Sequence, residues 1–156
     1  MSTKVKPIPD GYEGAMPYLI CKGAAKAIEF YKKAFGATEI MRMEGPGGSI
    51  AHAEIRIGGA FIMLADEAPE MGARSPETIG GSPVSIYIYV EDVDAFAQRA
   101  EKAGAHVLRP VADQFYGDRS IHLKDPFGHS WGFATHIEDV SHEEIRRRAA
   151  AMHGGG

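Results

Sequence analysis

Residues 24–37, AAKAIEFYKKAFGA, are matched 68 positions later by residues 92–105, DVDAFAQRAEKAGA. Apolar residues recur at helical spacing in both segments: Ala24, Ala27, Ile28, Tyr31 and Phe35 in the first, and Val93, Phe96, Ala97 and Ala100 in the second. Each predicted helix ends at a Gly-Ala pair, Gly36-Ala37 or Gly104-Ala105, because glycine readily takes the left-handed conformation that closes a helix. The match indicates an internal repeat.

Strand-like segments surround both helices in the same order. One precedes each helix and three follow it: residues 16–21, 39–44, 51–57 and 61–65 in the first copy, and 85–90, 106–111, 120–124 and 130–134 in the second. The sequence therefore predicts an α+β fold in which two βαβββ modules form curved mixed sheets.

The repeat also predicts the organisation of the chain. We expect the first module at residues 16–66 and the second at 83–137, with a Pro- and Gly-rich linker at 67–82. An irregular N-terminal arm at 1–15 and a C-terminal helix and tail at 138–156 complete the predicted chain.

Composition excludes several classes of protein. With 17 Lys and Arg against 21 Asp and Glu, the net charge of −4 argues against a nucleic-acid-binding protein. The single cysteine, Cys21, excludes an internal disulfide and any site built on a cysteine pair. No apolar run is long enough to span a membrane, and the N-terminus lacks the apolar core of a signal peptide. We therefore expect a soluble cytoplasmic protein.

Several motifs resemble one known superfamily. They lie at residues 27–31 (AIEFY), 35–37 (FGA), 89–94 (YVEDVD) and 125–129 (DPFGH). Together they resemble the vicinal oxygen chelate superfamily, which includes glyoxalase I, bleomycin-resistance proteins, extradiol dioxygenases and fosfomycin-modifying enzymes. Residues 52–58 and 114–119 resemble its PhnB-like branch more narrowly. The resemblance implies that each module curls into half a cup and that paired modules enclose the active site, within one chain or between two.

The same resemblance implies four places for metal ligands, one on the first and one on the last strand of each module. Here they are Met16, Met63, Ser85 and Gly132. None offers the imidazole or carboxylate that a catalytic divalent cation requires. We therefore expect no metal and no other cofactor at these positions.

Alternation along the strands predicts which side chains face the cup. Tyr18, Tyr87 and Tyr89 would join Met63 and Ser85 as a ligand-binding wall, or else pack as wall or dimer seam. The loop at 114–119 would add Phe115, Tyr116 and Arg119 as a lid, or else Arg119 would anchor the loop to its own neighbours.

Three further polar residues are expected on the cup face: His52, Glu54 and His122. They are candidates for catalysis, as ligands of a displaced metal or as an acid–base group. The alternative is a hydrogen-bonded polar network beside the pocket that has no chemical role.

These observations favour a protein that binds or sequesters a small organic molecule in a metal-free cup. The alternative is a glyoxalase-type lyase or isomerase that uses a displaced metal or a His/Glu pair. A third possibility is a module whose cup serves only oligomerisation. A homodimer is expected, because open sheet edges and apolar rims require a cover.

Overall fold

The computed structural model describes residues 4–154, which divide between Gly80 and Gly81 into two compact units. Residues 1–3 of the predicted arm and 155–156 of the predicted tail lie outside the described residues. Within the described range, no helix is both long and apolar enough to cross a membrane.

The first unit contains one four-stranded sheet and its helices. Its elements are β1 (Tyr18–Cys21), α1 (Ala24–Phe35), β2 (Thr38–Glu44), β3 (Ile50–Ile57), β4 (Ala60–Asp66) and the short α2 (Pro76–Ile79). The strand order is β1-β4-β3-β2, with β1 parallel to β4 and the other pairs antiparallel.

The second unit repeats this plan and adds a terminal helix. Its elements are β5 (Ser85–Tyr89), α3 (Val93–Ala103), β6 (His106–Asp113), β7 (Asp118–Lys124), β8 (Ser130–His136) and α4 (His142–His153). The strand order is β5-β8-β7-β6, again with only the first pair parallel. Tyr18 pairs with Met63 as Tyr87 pairs with Gly132, 69 residues later. The predicted pair of βαβββ modules is confirmed.

Both predicted helix ends are also confirmed. Gly36 follows α1 with φ 66°, and Gly104 follows α3 with φ 113°, which are left-handed conformations. Asp92 precedes α3 as an N-cap, because its Oδ1 accepts a hydrogen bond from the Ala95 N–H at 3.1 Å.

The core lies between each sheet and its helix. Strand side chains alternate, and the buried set includes Leu19, Ile55, Ile62, Leu64, Ile88, Ile121, Leu123, Trp131 and Phe133. Asp125 fixes the hairpin between β7 and β8: Oδ1 accepts from the Phe127 and His129 N–H groups, and Oδ2 accepts from the Trp131 indole. This carboxylate thereby joins the DPFGH turn to the core.

Some predicted boundaries differ from the structure. β1 begins at Tyr18 rather than at Met16, because Pro17 has no N–H to offer a strand ladder. The segment at 67–82 includes α2, since Pro76 suits a first helical position and the Ser75 hydroxyl accepts from the Thr78 N–H at 3.3 Å. The predicted loop at 114–119 is shorter, because β6 and β7 stay paired out to Asp113 and Arg119.

Candidate functional site

Each sheet has a second face, opposite its helix, on which polar and aromatic side chains collect. We call these the first polar face (Tyr18, His52, Glu54 and Met63) and the second polar face (Tyr87, Tyr89, Ser120, His122 and Gly132). The three tyrosines are 41–59% exposed, whereas the neighbouring strand residues Leu19 and Ile88 are buried. The strand alternation thus places the tyrosines as the sequence predicts.

One hydrogen bond and one longer polar contact connect the side chains of the first polar face. Tyr18 Oη lies 2.7 Å from His52 Nδ1, and His52 Nε2 lies 3.7 Å from Glu54 Oε2. Burial, and secondarily the negative charge of Glu54, raises the pKa of Tyr18. Met63 lies between Tyr18 and Glu54 on the strand that joins them. The result is a row of interacting Tyr, His and Glu side chains beside a flexible thioether.

Tyr12 of the N-terminal arm reaches this face, although no sequence pattern selected it. Its ring stacks on Phe61 with centroids 5.0 Å apart, and its Oη donates to Glu54 Oε1 at 2.8 Å. The hydrogen bond to Glu54 is the main cause of its raised pKa. An aromatic residue in a Pro- and Gly-rich segment has no periodicity that would predict such a contact.

On the second polar face, Gly132 allows two rings to approach the sheet closely. A Cβ at Gly132 would lie 2.6 Å from Tyr87 Cδ2 and 3.3 Å from His122 Cε1. The Tyr87 ring therefore occupies the space that a side chain at 132 would take. Burial, and secondarily the charge of Arg109, lowers the pKa of His122, which favours the neutral imidazole.

A buried carboxylate organises the tyrosines of this face. Asp118 is 4% exposed, and its Oδ2 accepts from Tyr89 Oη at 2.7 Å and from Tyr87 Oη at 3.5 Å. Its Oδ1 lies 2.8 Å from His136 Nδ1, while His136 Nε2 lies 2.8 Å from Asp139 Oδ1. These two carboxylates raise the pKa of His136. Sequence reasoning missed Asp118 and His136 as site residues, although strand alternation places Asp118 with Ser120 and His122.

The tyrosine phenols of this face are held protonated. The pKa of Tyr87 is raised well above its usual value, first by burial and then by Tyr116 and Asp118. The pKa of Tyr89 is raised mainly by its hydrogen bond to Asp118. The nearby Ser120 hydroxyl is buried and has no hydrogen-bond partner within residues 4–154. The face thus offers neutral hydroxyl groups beside aromatic rings.

Hydrogen bonds to its backbone carbonyls hold the loop that carries Phe115 and Tyr116. Their rings meet edge to face, with centroids 5.3 Å apart. Arg148 of α4 donates to the Phe115 carbonyl at 3.0 Å, and the Ile137 N–H donates to the Gly117 carbonyl at 2.9 Å. These contacts tie the loop to the C-terminal segment.

Arg119 is engaged away from the tyrosines. Its guanidinium makes a two-point ion pair with Asp94, in which both N···O distances are 2.9 Å, and a second pair with Asp113 at 2.8 Å. Strand alternation places it on the helix side of β7, with Ile121, rather than with Ser120. We therefore leave Arg119 out of the candidate site and assign it to joining the start of α3 to the β6–β7 hairpin.

The residues at the four positions implied for metal ligands do not fit a divalent cation. Met16 and Met63 are thioethers, Ser85 offers one hydroxyl, and the side-chain space at Gly132 is filled by the ring of Tyr87. No group of three or more His, Cys, Asp or Glu side chains within residues 4–154 could hold a metal ion.

Comparison with known proteins places this architecture in a family. The model of the glyoxalase/bleomycin resistance protein/dioxygenase superfamily matches residues 15–133. The chain belongs to this superfamily. It is 46% identical over 143 residues to Rv0887c, an uncharacterized protein of Mycobacterium tuberculosis. The aligned region covers 90% of this chain and 82% of that protein.

Solved structures of other proteins show the same fold. TioX from Micromonospora sp. ML1 matches with a TM-score of 0.62 and 25% identity, covering 80% of this chain and all of that chain. The fosfomycin resistance protein FosX from Listeria monocytogenes, complexed with Mn(II) and a sulfate ion, matches with a TM-score of 0.60 and 20% identity, covering 88% and 98%. At this identity the second match indicates the fold alone.

Proposed function

We propose that this superfamily member binds a small organic molecule with an aromatic or apolar part on its polar faces, without a metal ion. The observation that carries the proposal is the arrangement at Gly132, where the Tyr87 ring lies on the sheet beside the ring of His122. The Listeria FosX structure was solved with Mn(II). In this chain the positions that the resemblance implies for metal ligands hold Met16, Met63, Ser85 and Gly132, none of which carries an imidazole or a carboxylate.

The chemistry of the two faces supports binding. Tyr18, Tyr87 and Tyr89 offer ring faces for stacking and protonated hydroxyl groups for hydrogen bonds, while Met63 adapts to irregular shapes. The unpartnered Ser120 hydroxyl would gain a partner in a polar ligand atom. Burying about 100 Å² of apolar ligand surface contributes about 2.5 kcal/mol, so a few polar contacts are needed to reach micromolar affinity.

A thermal-shift screen of aromatic and amphipathic compounds tests the proposal, because a ligand of the native state alone raises its stability. We expect compounds that raise the melting temperature equally with and without EDTA. Tyr89→Phe keeps the ring and removes only one hydroxyl, so it serves as the matched control for Tyr89→Ala. Equal affinity of a screen hit for wild type, Tyr87→Ala and Tyr89→Ala would contradict the proposal.

One observation favours a second candidate, a metal-free acid–base enzyme. Tyr18 is hydrogen-bonded to His52, and the Glu54 carboxylate lies 3.7 Å from His52 Nε2, so an acid and a base would stand close together beside a bound ligand. The test is to incubate a screen hit with the protein in D₂O and examine it by NMR. A hit that returns chemically unchanged and undeuterated indicates binding, whereas conversion or exchange that is lost in Glu54→Gln indicates catalysis.

We also propose that the protein is a cytoplasmic homodimer of the PhnB-like branch. The dimer is supported by the open sheet edges β1 and β2 in one unit and β5 and β6 in the other. Sedimentation equilibrium at micromolar concentration is expected to give twice the chain mass of 16.8 kDa. A single species at the chain mass would contradict the dimer.

A dimer in which neither Tyr87→Ala nor Tyr89→Ala changes the affinity for any ligand would instead support a purely oligomerising role.

A further inference from the structure

The second unit contains a hollow of about 250 Å³ that is lined by polar side chains but by no acidic ones. Its lining includes Val84, Ser85, Leu108, Arg109, His122 and Ser130, and no Asp or Glu. The only full charge among these lining residues is the cation of Arg109. A hollow with hydroxyl groups, one guanidinium and no carboxylate has the chemistry of an anion site.

Arg109 is positioned for an external partner. It is exposed, and no ion pair or hydrogen bond joins its guanidinium to an acidic residue within residues 4–154. Arg119 and Arg148, by contrast, are each held by two carboxylates. The register of the β6–β7 pair shifts on both sides of Arg109, and such irregularities redirect a side chain from the regular sheet.

The neighbouring groups complement that cation. His122 is the strand partner of Arg109, and its ring places a further polar group beside the guanidinium without adding a carboxylate. Ser85 and Ser130 are strand partners on β5 and β8, so two hydroxyl groups lie beside each other at the same end of the sheet. The exposed side chains of Val84 and Leu108 supply an apolar wall.

We propose that this hollow binds the carboxylate of a small organic acid, with the carboxylate at Arg109 and the apolar body against Val84 and Leu108. This inference rests on the proposed function, since it names the ligand class of the second unit. Water occupies about 30 Å³ per molecule, so a hollow of this volume holds roughly eight to ten non-hydrogen atoms. A ring with one carboxylate is of that size.

Benzoate and its neutral isostere benzamide are the probes. Their binding is measured by ligand-observed NMR and calorimetry on the full chain. We expect benzoate to bind at least about tenfold more tightly than benzamide, because only the carboxylate gains charge-assisted hydrogen bonds. Arg109→Gln should remove this preference, and Arg109→Lys should keep part of it. Lys102→Gln, which makes the same charge change on α3, should leave it intact.

Other outcomes separate this inference from the proposed function. Equal binding of benzoate and benzamide, unchanged in Arg109→Gln, would overturn the anion site and leave small-molecule binding intact. Absence of benzoate binding would also overturn it, and neutral hits in the thermal-shift screen would then still support the proposed function. An equal loss of preference in Lys102→Gln would show a general charge effect and contradict a site at Arg109.

Discussion

Gly132→Ala is the most informative single change, because it adds one methyl group at the centre of the second polar face. The new Cβ would lie 2.6 Å from Tyr87 Cδ2, 3.0 Å from Tyr87 Cε2 and 3.3 Å from His122 Cε1. Carbon atoms in contact prefer about 3.5–4.0 Å, so the Tyr87 ring must move outward by about 1 Å. Gly132 has no left-handed φ, so its backbone accepts alanine without strain.

The size of the effect follows from how freely the ring can move. Overpacking in a tight core costs about 1–3 kcal/mol, and we expect the low end because Tyr87 is 41% exposed. Replacing glycine also reduces the conformational entropy of the unfolded chain, which stabilises the folded protein by about 0.4–1 kcal/mol. The free energy of unfolding should therefore fall by about 1 kcal/mol or less, while the local geometry changes clearly.

Two titrations detect the change. Moving the Tyr87 ring away exposes His122, so the lowered pKa of His122 should rise toward its usual value. For the same reason, the raised pKa of Tyr87 should fall toward 10. NMR titration of His122 and ultraviolet titration of the tyrosines measure these shifts.

Gly59→Ala is the matched control, because a Cβ at Gly59 meets no atom within 4 Å and Gly59 has no left-handed φ. Screen hits should lose affinity for Gly132→Ala and not for Gly59→Ala. If Gly132→Ala left the pKa of His122 and the affinity for hits unchanged, the Tyr87 ring would not occupy the space above Gly132. The reasoning from this geometry to ligand binding would then be refuted.

Three other changes test separate parts of the structure. Gly36→Val and Gly104→Val should each lower the free energy of unfolding by more than about 1 kcal/mol, because valine would be forced to a positive φ. Urea denaturation equal to that of wild type would contradict the role of these glycines as helix caps. His136→Gln should destabilise the protein most below pH about 6.5. The raised pKa of His136 contributes stability that is lost as the pH rises through the folded-state pKa. A difference in urea denaturation that does not change between about pH 5.5 and 9 would contradict this. Arg119→Ala should lower the melting temperature, because it removes the ion pairs to Asp94 and Asp113. The affinity for ligands found in the thermal-shift screen should not change. A large loss of that affinity would show that Arg119 belongs to the binding site.

The sequence predicted the parts of the structure that depend on local periodicity. Alternation in β1 and β5 separates Leu19 and Ile88 from Tyr18 and Tyr89, and the structure buries the first pair and exposes the second. The left-handed conformation of Gly36 was predictable, because few other residues adopt it at a helix end. These rules involve neighbours within a few residues, so one sequence suffices to apply them.

Contacts between distant residues could not be predicted in this way. Tyr12 meets Glu54 across 42 positions, and Arg148 reaches the Phe115 carbonyl across 33. The pairing of Asp118 with His136 depends on the register between β7 and β8. The alternation of side chains along a strand shows which face each residue occupies, but not which residue of the neighbouring strand lies opposite it. Arg119 was expected in a loop, because the strand-like pattern ended at residue 111 and resumed at 120, whereas the β6–β7 ladder continues to the pair of Asp113 and Arg119.

Native mass spectrometry of protein purified without chelator and without added metal tests metal-free binding of a small organic molecule most directly. We expect the mass of the polypeptide, alone or with an organic adduct of a few hundred daltons, and an adduct that weakens in Tyr87→Ala. A divalent metal retained at one per chain, and lost together with the adduct on treatment with EDTA, would contradict the proposal.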